Sequence, residues 1–172
     1  MLQDPLTLYK LIVLYMLDRV TFPLTNAQVS DFILEREYTT YLTLQQVLNE
    51  LTDAKMVTSQ TILNRTHLSI TPEGRETLQF FQNRINHGIK KDIDTYFRKN
   101  EYVLRNEASV LSDYYYMAAT GEYEVHLVAK DRGLNLVDLK MAIPTEDLSR
   151  KICDNWQKKT QEIYQYLTKQ LF

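Results

Sequence analysis

The fold of this chain is decided by residues 44–75, LQQVLNELTDAKMVTSQTILNRTHLSITPEGR. Their first part repeats apolar side chains at the i, i+3, i+4 and i+7 spacing of one buried helix face: Leu44, Val47, Leu48 and Leu51. Residues 56–63 are then rich in β-forming side chains, residues 64–66 offer a turn, and residues 67–71 resume the alternation of a strand. The stretch therefore predicts a helix that leads directly into a β-hairpin.

Two more helices are predicted ahead of this stretch. Residues 6–20 carry the broad apolar stripe of a first helix. The second helix starts at a capping box, in which Thr25 is the N-cap and Gln28 reaches back to its amide, and it runs to about Arg36. The hairpin is thus preceded by three helices.

Threonines mark two further helix starts. Either Thr40 or Thr43 can cap the third helix, so that its first residue is open at this point. The hairpin ends at Thr71, which caps a fourth helix whose first position is a proline. We expect the fourth helix to run into residues 90–99, with Gly88 as its weak point.

The second half of the sequence predicts a sheet and a last helix. Three antiparallel strands are expected, over residues 103–119, 122–130 and 134–143. The last helix begins at Glu146, and its apolar stripe must cover the sheet. The fold class is therefore α+β, with two domains: residues 1–101 and residues 102–172.

Composition excludes several classes of enzyme. The 4 glycines are too far apart in the sequence to form a phosphate-binding loop or a dinucleotide fingerprint. Cys153 is the only cysteine, so a disulfide within the chain and a cysteine-rich zinc site are both excluded. The histidines His67, His87 and His126 fall in different elements, and no two have the spacing of metal ligands. We expect no catalytic residues, no metal and no cofactor.

The charge and hydropathy of the chain point to a cytoplasmic protein with no membrane association. Its longest apolar stretch, residues 11–17, is far shorter than a membrane span, and no cleavage site of a secretory signal follows it. The formal net charge is -2, from 20 basic and 22 acidic residues. No global positive field therefore favours a nucleic-acid partner.

The order of three helices and a hairpin resembles the winged helix, a helix-turn-helix variant. Residues 48–57 are similar to the end of the recognition helix and the first wing strand of the MarR and PadR regulators. Residues 68–75 are similar to the passage from the second wing strand to the next helix in those families. The likeness covers about residues 5–100 and departs at Lys55, where these families usually have a glycine in the left-handed conformation.

The whole chain also resembles a small, uncharacterised family of bacterial proteins with an N-terminal winged helix. This likeness implies a transcription regulator that binds double-stranded DNA. It implies no particular operator and no particular effector ligand.

Candidate DNA-binding residues follow from the position of the third helix. Side chains that can hydrogen-bond base edges lie on its outer face: Thr43, Gln45, Gln46 and Asn49. Side chains that can bond phosphates stand at its start: Thr39, Thr40 and Tyr41. Arg65, at the tip of the hairpin, is placed to reach the DNA backbone or the minor groove.

The charge near the third helix argues against strong DNA binding. No lysine or arginine lies between Glu37 and Ala54. The nearest basic residues form only a scattered rim: Lys10, Arg19, Arg36, Lys55, Arg65, Arg75 and Arg84. Because phosphate attraction supplies most non-specific affinity, we expect useful binding only from a homodimer.

Two interpretations of the chain therefore stay open. In the first, the winged helix binds DNA, and the C-terminal domain serves dimerisation or sensing of an effector. In the second, the winged helix is a protein–protein interaction module with no DNA affinity. The consecutive tyrosines of residues 114–116 fit a ligand pocket, a dimer interface or the packing of the sheet against its helix.

Overall fold

A computed structural model describes residues 4–172 and has an α+β architecture. In that range the helices are α1 (Pro5–Asp18), α2 (Asn26–Glu35), α3 (Tyr41–Asp53), α4 (Pro72–Phe81), α5 (His87–Ser109) and α6 (Glu146–Leu171). The strands are β1 (Leu24–Thr25), β2 (Val57–Ile62), β3 (Arg65–Ile70), β4 (Val110–Met117), β5 (Glu122–Asp131) and β6 (Leu134–Ile143). The chain divides into two compact units between Arg105 and Asn106, and each is described separately.

Helix α1 lies at the centre of the first unit. Asp4 caps it by accepting a hydrogen bond from the Leu6 amide, and Pro5 occupies the first turn. Seven consecutive side chains, residues 11–17, are buried, so that this part of the helix has no solvent face. Helices α3 and α4 and strand β3 pack around it. No helix within residues 4–172 combines the length and the apolar character needed to cross a bilayer.

The sheet of the first unit has the order β1-β3-β2, with both pairings antiparallel. Strand β1 has two residues, and Leu24 and Thr25 pair with Leu68 and His67 of β3. Thr25 also caps α2, because its side chain accepts a hydrogen bond from the Gln28 amide. The predicted capping box is confirmed, whereas the pairing of β1 was not foreseen.

Helix α3 starts and ends at residues that the sequence left in question. Thr40 is the N-cap, and its hydroxyl accepts from the Thr43 amide at 3.3 Å. At the other end Lys55 adopts the left-handed conformation, with φ 58°. Its amide donates to the Thr52 carbonyl, and the Met56 amide donates to the Leu51 carbonyl. A lysine therefore fills the helix-ending position that usually requires glycine.

The hairpin turn lies one residue earlier than predicted. Leu63 and Asn64 both have positive φ, 47° and 64°, as a two-residue hairpin turn of type I′ requires. Arg65 is already in β3, where it pairs with Ile62. The predicted turn over residues 64–66 is wrong because a two-residue turn suffices to reverse the chain.

The predicted long fourth helix is two helices. Helix α4 ends at Phe81, a single 3-10 turn follows, and the buried Ile85 is extended, with ψ 126°. The Asn86 side chain then accepts from the Gly88 amide at 2.7 Å, next to the start of α5. The break therefore precedes Gly88 instead of occurring there.

Helix α5 also extends into residues that were predicted to be a strand. It ends at Ser109, and β4 begins at Val110 rather than at Val103. Leu104 and Ala108 are both buried at a spacing of four residues, which suits a helix face. The β-rich composition of residues 110–117 thus does not reach back to Val103.

The turn between α2 and α3 is held by a tyrosine. Glu37 is left-handed, with φ 56°, and the Tyr38 amide donates to the Ile33 carbonyl at 3.1 Å. The Tyr38 ring meets Phe32 edge-on, with centroids 6.1 Å apart, and its hydroxyl donates to Asp92 of α5 at 3.0 Å. These contacts fix the angle at which α3 leaves α2.

The second unit is a three-stranded antiparallel sheet with α6 packed on one face. Its strand order is β4-β5-β6, and Trp156 of α6 is its largest fully buried side chain. The Trp156 indole donates to the Val128 carbonyl, and the Gln157 amide donates to the Val110 carbonyl. The prediction that the last helix covers the sheet is confirmed.

The first turn of α4 passes very close to the end of α3. Thr71 caps α4 by accepting from the Gly74 amide, and its hydroxyl donates to the Lys55 carbonyl at 2.7 Å. Gly74 is buried, and a Cβ at this position would lie 2.2 Å from the Met56 carbonyl oxygen and 2.9 Å from an Ile70 side-chain carbon. Only glycine fits this approach.

We expect Gly74→Ala to destabilise the protein by about 1–3 kcal/mol, because the added methyl group must displace backbone. Urea unfolding followed by circular dichroism measures this difference. Gly88→Ala is the matched control: its Cβ would meet only the Asn86 side chain at 3.2 Å, and alanine favours a helix. Equal unfolding midpoints for the two variants would contradict the close approach at Gly74.

A second prediction concerns Tyr38. Burial, and then the hydrogen bond that it donates to Asp92, raise the pKa of Tyr38 from 10.0 to about 12. The folded protein holds this proton more tightly than the unfolded chain does. The resulting stability is fully present below pH 10 and is lost as the pH rises towards about 12.

An ultraviolet absorbance titration of the tyrosines measures the effect. We expect Tyr38→Phe to remove one late-titrating group from the absorbance change. A late phase of unchanged amplitude in Tyr38→Phe would show that Tyr38 does not hold its proton in this way.

Candidate nucleic-acid interface

The outer face of α3 is a row of uncharged polar side chains. Thr43, Gln46 and Asn49 follow one another at intervals of three residues, opposite the buried apolar stripe of the same helix. Gln46 and Asn49 are exposed, and Thr43 is half-buried. This row is the part of the predicted site that the structure brings together. Its side chains carry donors and acceptors of the type that base edges bond.

The start of α3 adds an end with partial positive charge. No acidic side chain stands in the first turn, and the first amides of a helix favour an anion. Tyr41 is 57% exposed and Leu42 80% exposed, while Thr39 is half-buried. The Thr40 hydroxyl is occupied within the cap, since it also donates to the Thr43 hydroxyl at 3.0 Å.

Gln45 faces α2 instead of the outer row. Its amide and that of Asn26 exchange two hydrogen bonds, at 3.2 Å and 3.3 Å. The Ser30 hydroxyl donates to the same Asn26 oxygen at 3.0 Å. Gln45 therefore joins the two helices and sets the position of α3. Asn26 was not predicted as part of the site, and its only signal in the sequence is its place in the first turn of α2.

Arg65 lies apart from α3 on the hairpin. It is exposed and follows directly after the turn at residues 63 and 64. Residues 58–61 of the neighbouring strand β2 are exposed as well. The hairpin thus presents a polar surface with one arginine near its tip.

A carboxylate stands beside the outer row. Glu50 accepts from the Gln46 amide at 2.9 Å and pairs with Lys10 of α1 at 2.6 Å. The hydrogen bond from Lys10, and then that from Gln46, lower the pKa of Glu50. Glu50 is therefore ionised at neutral pH. Its charge and that of Lys10 cancel next to the outer row.

Other cations of the rim are also engaged within the protein. Arg19 pairs with Asp94 at 3.1 Å, and Arg75 pairs with Asp18 at 3.0 Å. The guanidinium groups of Arg36 and Arg84 lie over aromatic rings of Phe32 and Phe81, at 4.0 Å and 4.8 Å from the ring centroids. Three of the seven cations of the rim, Lys10, Arg19 and Arg75, are thus paired with carboxylates, which reduces the attraction of the rim for phosphate.

Titratable groups elsewhere form no metal-binding cluster within residues 4–172. His67 is buried in β3, with its ring nitrogen Nδ1 at 3.2 Å from the Arg65 carbonyl. His126 is hydrogen-bonded to Asp138 at 2.6 Å on the sheet of the second unit. Cys153 is a half-buried residue of α6, and burial raises the pKa of its thiol, which makes it a poorer nucleophile.

Comparison with known proteins gives a family and no activity. Neither the curated proteins nor the solved structures contain a match to this chain. One protein family, described as "Domain of unknown function (DUF4364)", matches residues 9–171. These comparisons supply no link to the MarR and PadR regulators. Since the match spans almost the whole sequence, the chain belongs to the DUF4364 family.

Proposed function

We propose that the first unit is a winged helix that binds double-stranded DNA, and that the protein is a transcription regulator. The observation that carries this proposal is the topology: α1, β1, α2 and α3 precede the β2–β3 hairpin, in a sheet of order β1-β3-β2. In this interpretation α2 and α3 are the helix-turn-helix, α3 is the recognition helix, and the hairpin is the wing.

The outer row of α3 would then read base edges in the major groove. Gln46 and Asn49 are exposed amides, and an amide can both donate to and accept from adenine. Thr39 and Tyr41 would lie against phosphates at the start of α3, while the Thr40 hydroxyl holds the cap of the helix. Gln45 acts as a positioning residue, because its amide is engaged by Asn26.

The paired cations of the rim affect how many copies of the protein are needed to bind DNA. One winged helix with few uncommitted cations has little affinity from phosphate contacts alone. Two copies on a two-fold DNA site double both the number of protein–DNA contacts and the length of DNA sequence that is recognised. We therefore propose a homodimer, with the second unit serving dimerisation or sensing of an effector.

One observation favours the second candidate function, a protein–protein interaction module without DNA binding. Tyr41 and Leu42 stand exposed at the start of α3, 57% and 80%, next to a surface whose charges cancel. Exposed aromatic and aliphatic side chains with little net charge are typical of protein interfaces. Direct measurement of DNA binding separates the two candidates.

Base reading by α3 is tested with Asn49→Ala. On a duplex selected from genomic fragments, loss of a base contact costs about 1–3 kcal/mol and relaxes the preference at one position. Gln46→Ala should behave alike, although it also frees the Glu50 carboxylate. Fluorescence anisotropy at low and moderate salt measures the DNA affinity of both variants. Gln79→Ala, an exposed glutamine on α4, is the matched control and should bind as the wild type does.

The hairpin is tested with Arg65→Ala. Loss of a phosphate or minor-groove contact should weaken binding to many sequences and reduce the salt slope by about one unit. Arg132→Ala is the matched control, because Arg132 is also an exposed arginine at the tip of a hairpin but stands in a turn of the second unit. Thermal melting first establishes that each variant is folded.

Two results would overturn the DNA proposal. In one, the selection yields no preferred duplex at either salt concentration. In the other, wild type, Gln46→Ala, Asn49→Ala and Arg65→Ala bind the selected duplex equally. In both cases the protein-contact function replaces DNA binding.

A further inference from the structure

Strand β6 forms a long, open edge of the second sheet. In the order β4-β5-β6 it pairs with β5 on one side, and no strand of residues 4–172 pairs with its other side. Its ten residues contain neither proline nor glycine, and Pro144 follows only after the strand ends. Natural proteins usually block such an edge, because its free amides and carbonyls invite another strand. The pairing of β6 with β5 has a bulge at residues 135–137 and is regular from Val137 to Ile143.

The side chains of β6 alternate between an apolar and a charged face. Val137 and Leu139 belong to the core beneath α6, and Met141 shares their face but is 38% exposed. On the opposite face stand Asp138 and Lys140, two residues apart. Those two side chains are 44% and 60% exposed.

This alternation is self-complementary. Two antiparallel edges join into one sheet about a two-fold axis perpendicular to it, which keeps every side chain on its own face. With the axis at Leu139, Asp138 lies opposite Lys140 of the second copy, and Lys140 lies opposite Asp138 of the second copy. Opposite charges in directly facing positions stabilise a strand pair.

The neighbouring registers lack this match. With the axis at Asp138 the two aspartates face each other, and with the axis at Lys140 the two lysines do, which is unfavourable in both cases. The opposite edge, β4, carries only one charged side chain, Asp113, and no two-fold register there forms an ion pair. The charge pattern therefore selects one edge and one register.

We propose that a second copy of this chain adds its β6 antiparallel to β6, centred on Leu139, to form a continuous six-stranded sheet. The inference rests on the homodimer of the proposed function and names its interface. It also covers an exposed apolar side chain, because Met141, 38% exposed, comes to lie opposite Val137. From β5, His126 flanks Asp138 and Glu124 flanks Lys140, so that both ion pairs are bordered by further charged or polar groups.

Charge reversal of one residue at a time tests this interface in the full chain. Asp138→Lys places like charges opposite each other twice, and so does Lys140→Asp. Each variant should raise the dimer Kd about 10- to 100-fold, as measured by sedimentation equilibrium. The double variant Asp138→Lys/Lys140→Asp restores both pairs and should dimerise like the wild type.

A mixture gives the sharpest readout. Combined in equal amounts, the two single variants should form a heterodimer, because the lysines of one face the aspartates of the other. A heterodimer cannot come from misfolded chains, and circular dichroism checks each variant separately. Lys151→Asp, an exposed reversal on α6, is the matched control and should leave the dimer intact.

The outcomes separate this interface from the proposed function. A wild type that stays monomeric at micromolar concentration overturns both the interface and the dimer of the proposed function. A wild-type dimer whose single variants dimerise equally well, or whose mixture and double variant fail to dimerise, overturns the interface alone. An intact dimer that selects no duplex contradicts DNA binding and leaves the interface standing.

Discussion

The complete burial of the middle of α1 is the constraint on which the first unit depends. Seven consecutive buried side chains, residues 11–17, give this helix no polar face, so it must be enclosed on every side. Helices α3 and α4 and strand β3 supply that enclosure. Because α3 presents its apolar stripe to this core, its opposite side, with Gln46 and Asn49, is left to the solvent. The candidate interface is thus a consequence of how α1 is buried.

Features set by neighbours in the sequence could be predicted, and features set by distant partners could not. The cap at Thr25 and the stripe of α3 depend on residues within one or two turns, and both were predicted correctly. Strand β1 exists only because β3, more than forty residues later, offers a partner. The break before α5 depends on burial of Ile85, which periodicity does not reveal. The predicted strand at residues 103–109 failed likewise, since a helix face buried there outweighs the β propensity.

The same division holds for the candidate site. Residue types along α3 identified its polar row, yet Gln45 is engaged by Asn26, nineteen positions away in the sequence. A count of charges found no cation between residues 37 and 54 and a basic rim around them. It could not reveal that Lys10 and Glu50 neutralise each other, because that pair spans two helices. The Lys10–Glu50 pair and the contact between Gln45 and Asn26 both join residues far apart in the sequence, which is why residue types along α3 did not predict them.

If the first unit binds DNA as proposed, its paired cations make association through the second unit important for affinity. A cation that is already paired within the protein must give up its ion pair to contact a phosphate, so the new contact adds little affinity. Affinity for DNA then has to come from directional hydrogen bonds and from the number of such contacts. When two weakly binding units are linked in one molecule, binding of the first holds the second near its own site. The second then binds at a high effective concentration, which the link between the units sets. An interface between second units would supply that connection. The ion pairs proposed across β6 fix a two-fold axis, and a two-fold protein reads a two-fold DNA site. In the proposed function, the uncharged outer row of α3 and the charged edge of β6 would act together, and association would replace electrostatic attraction as the source of affinity.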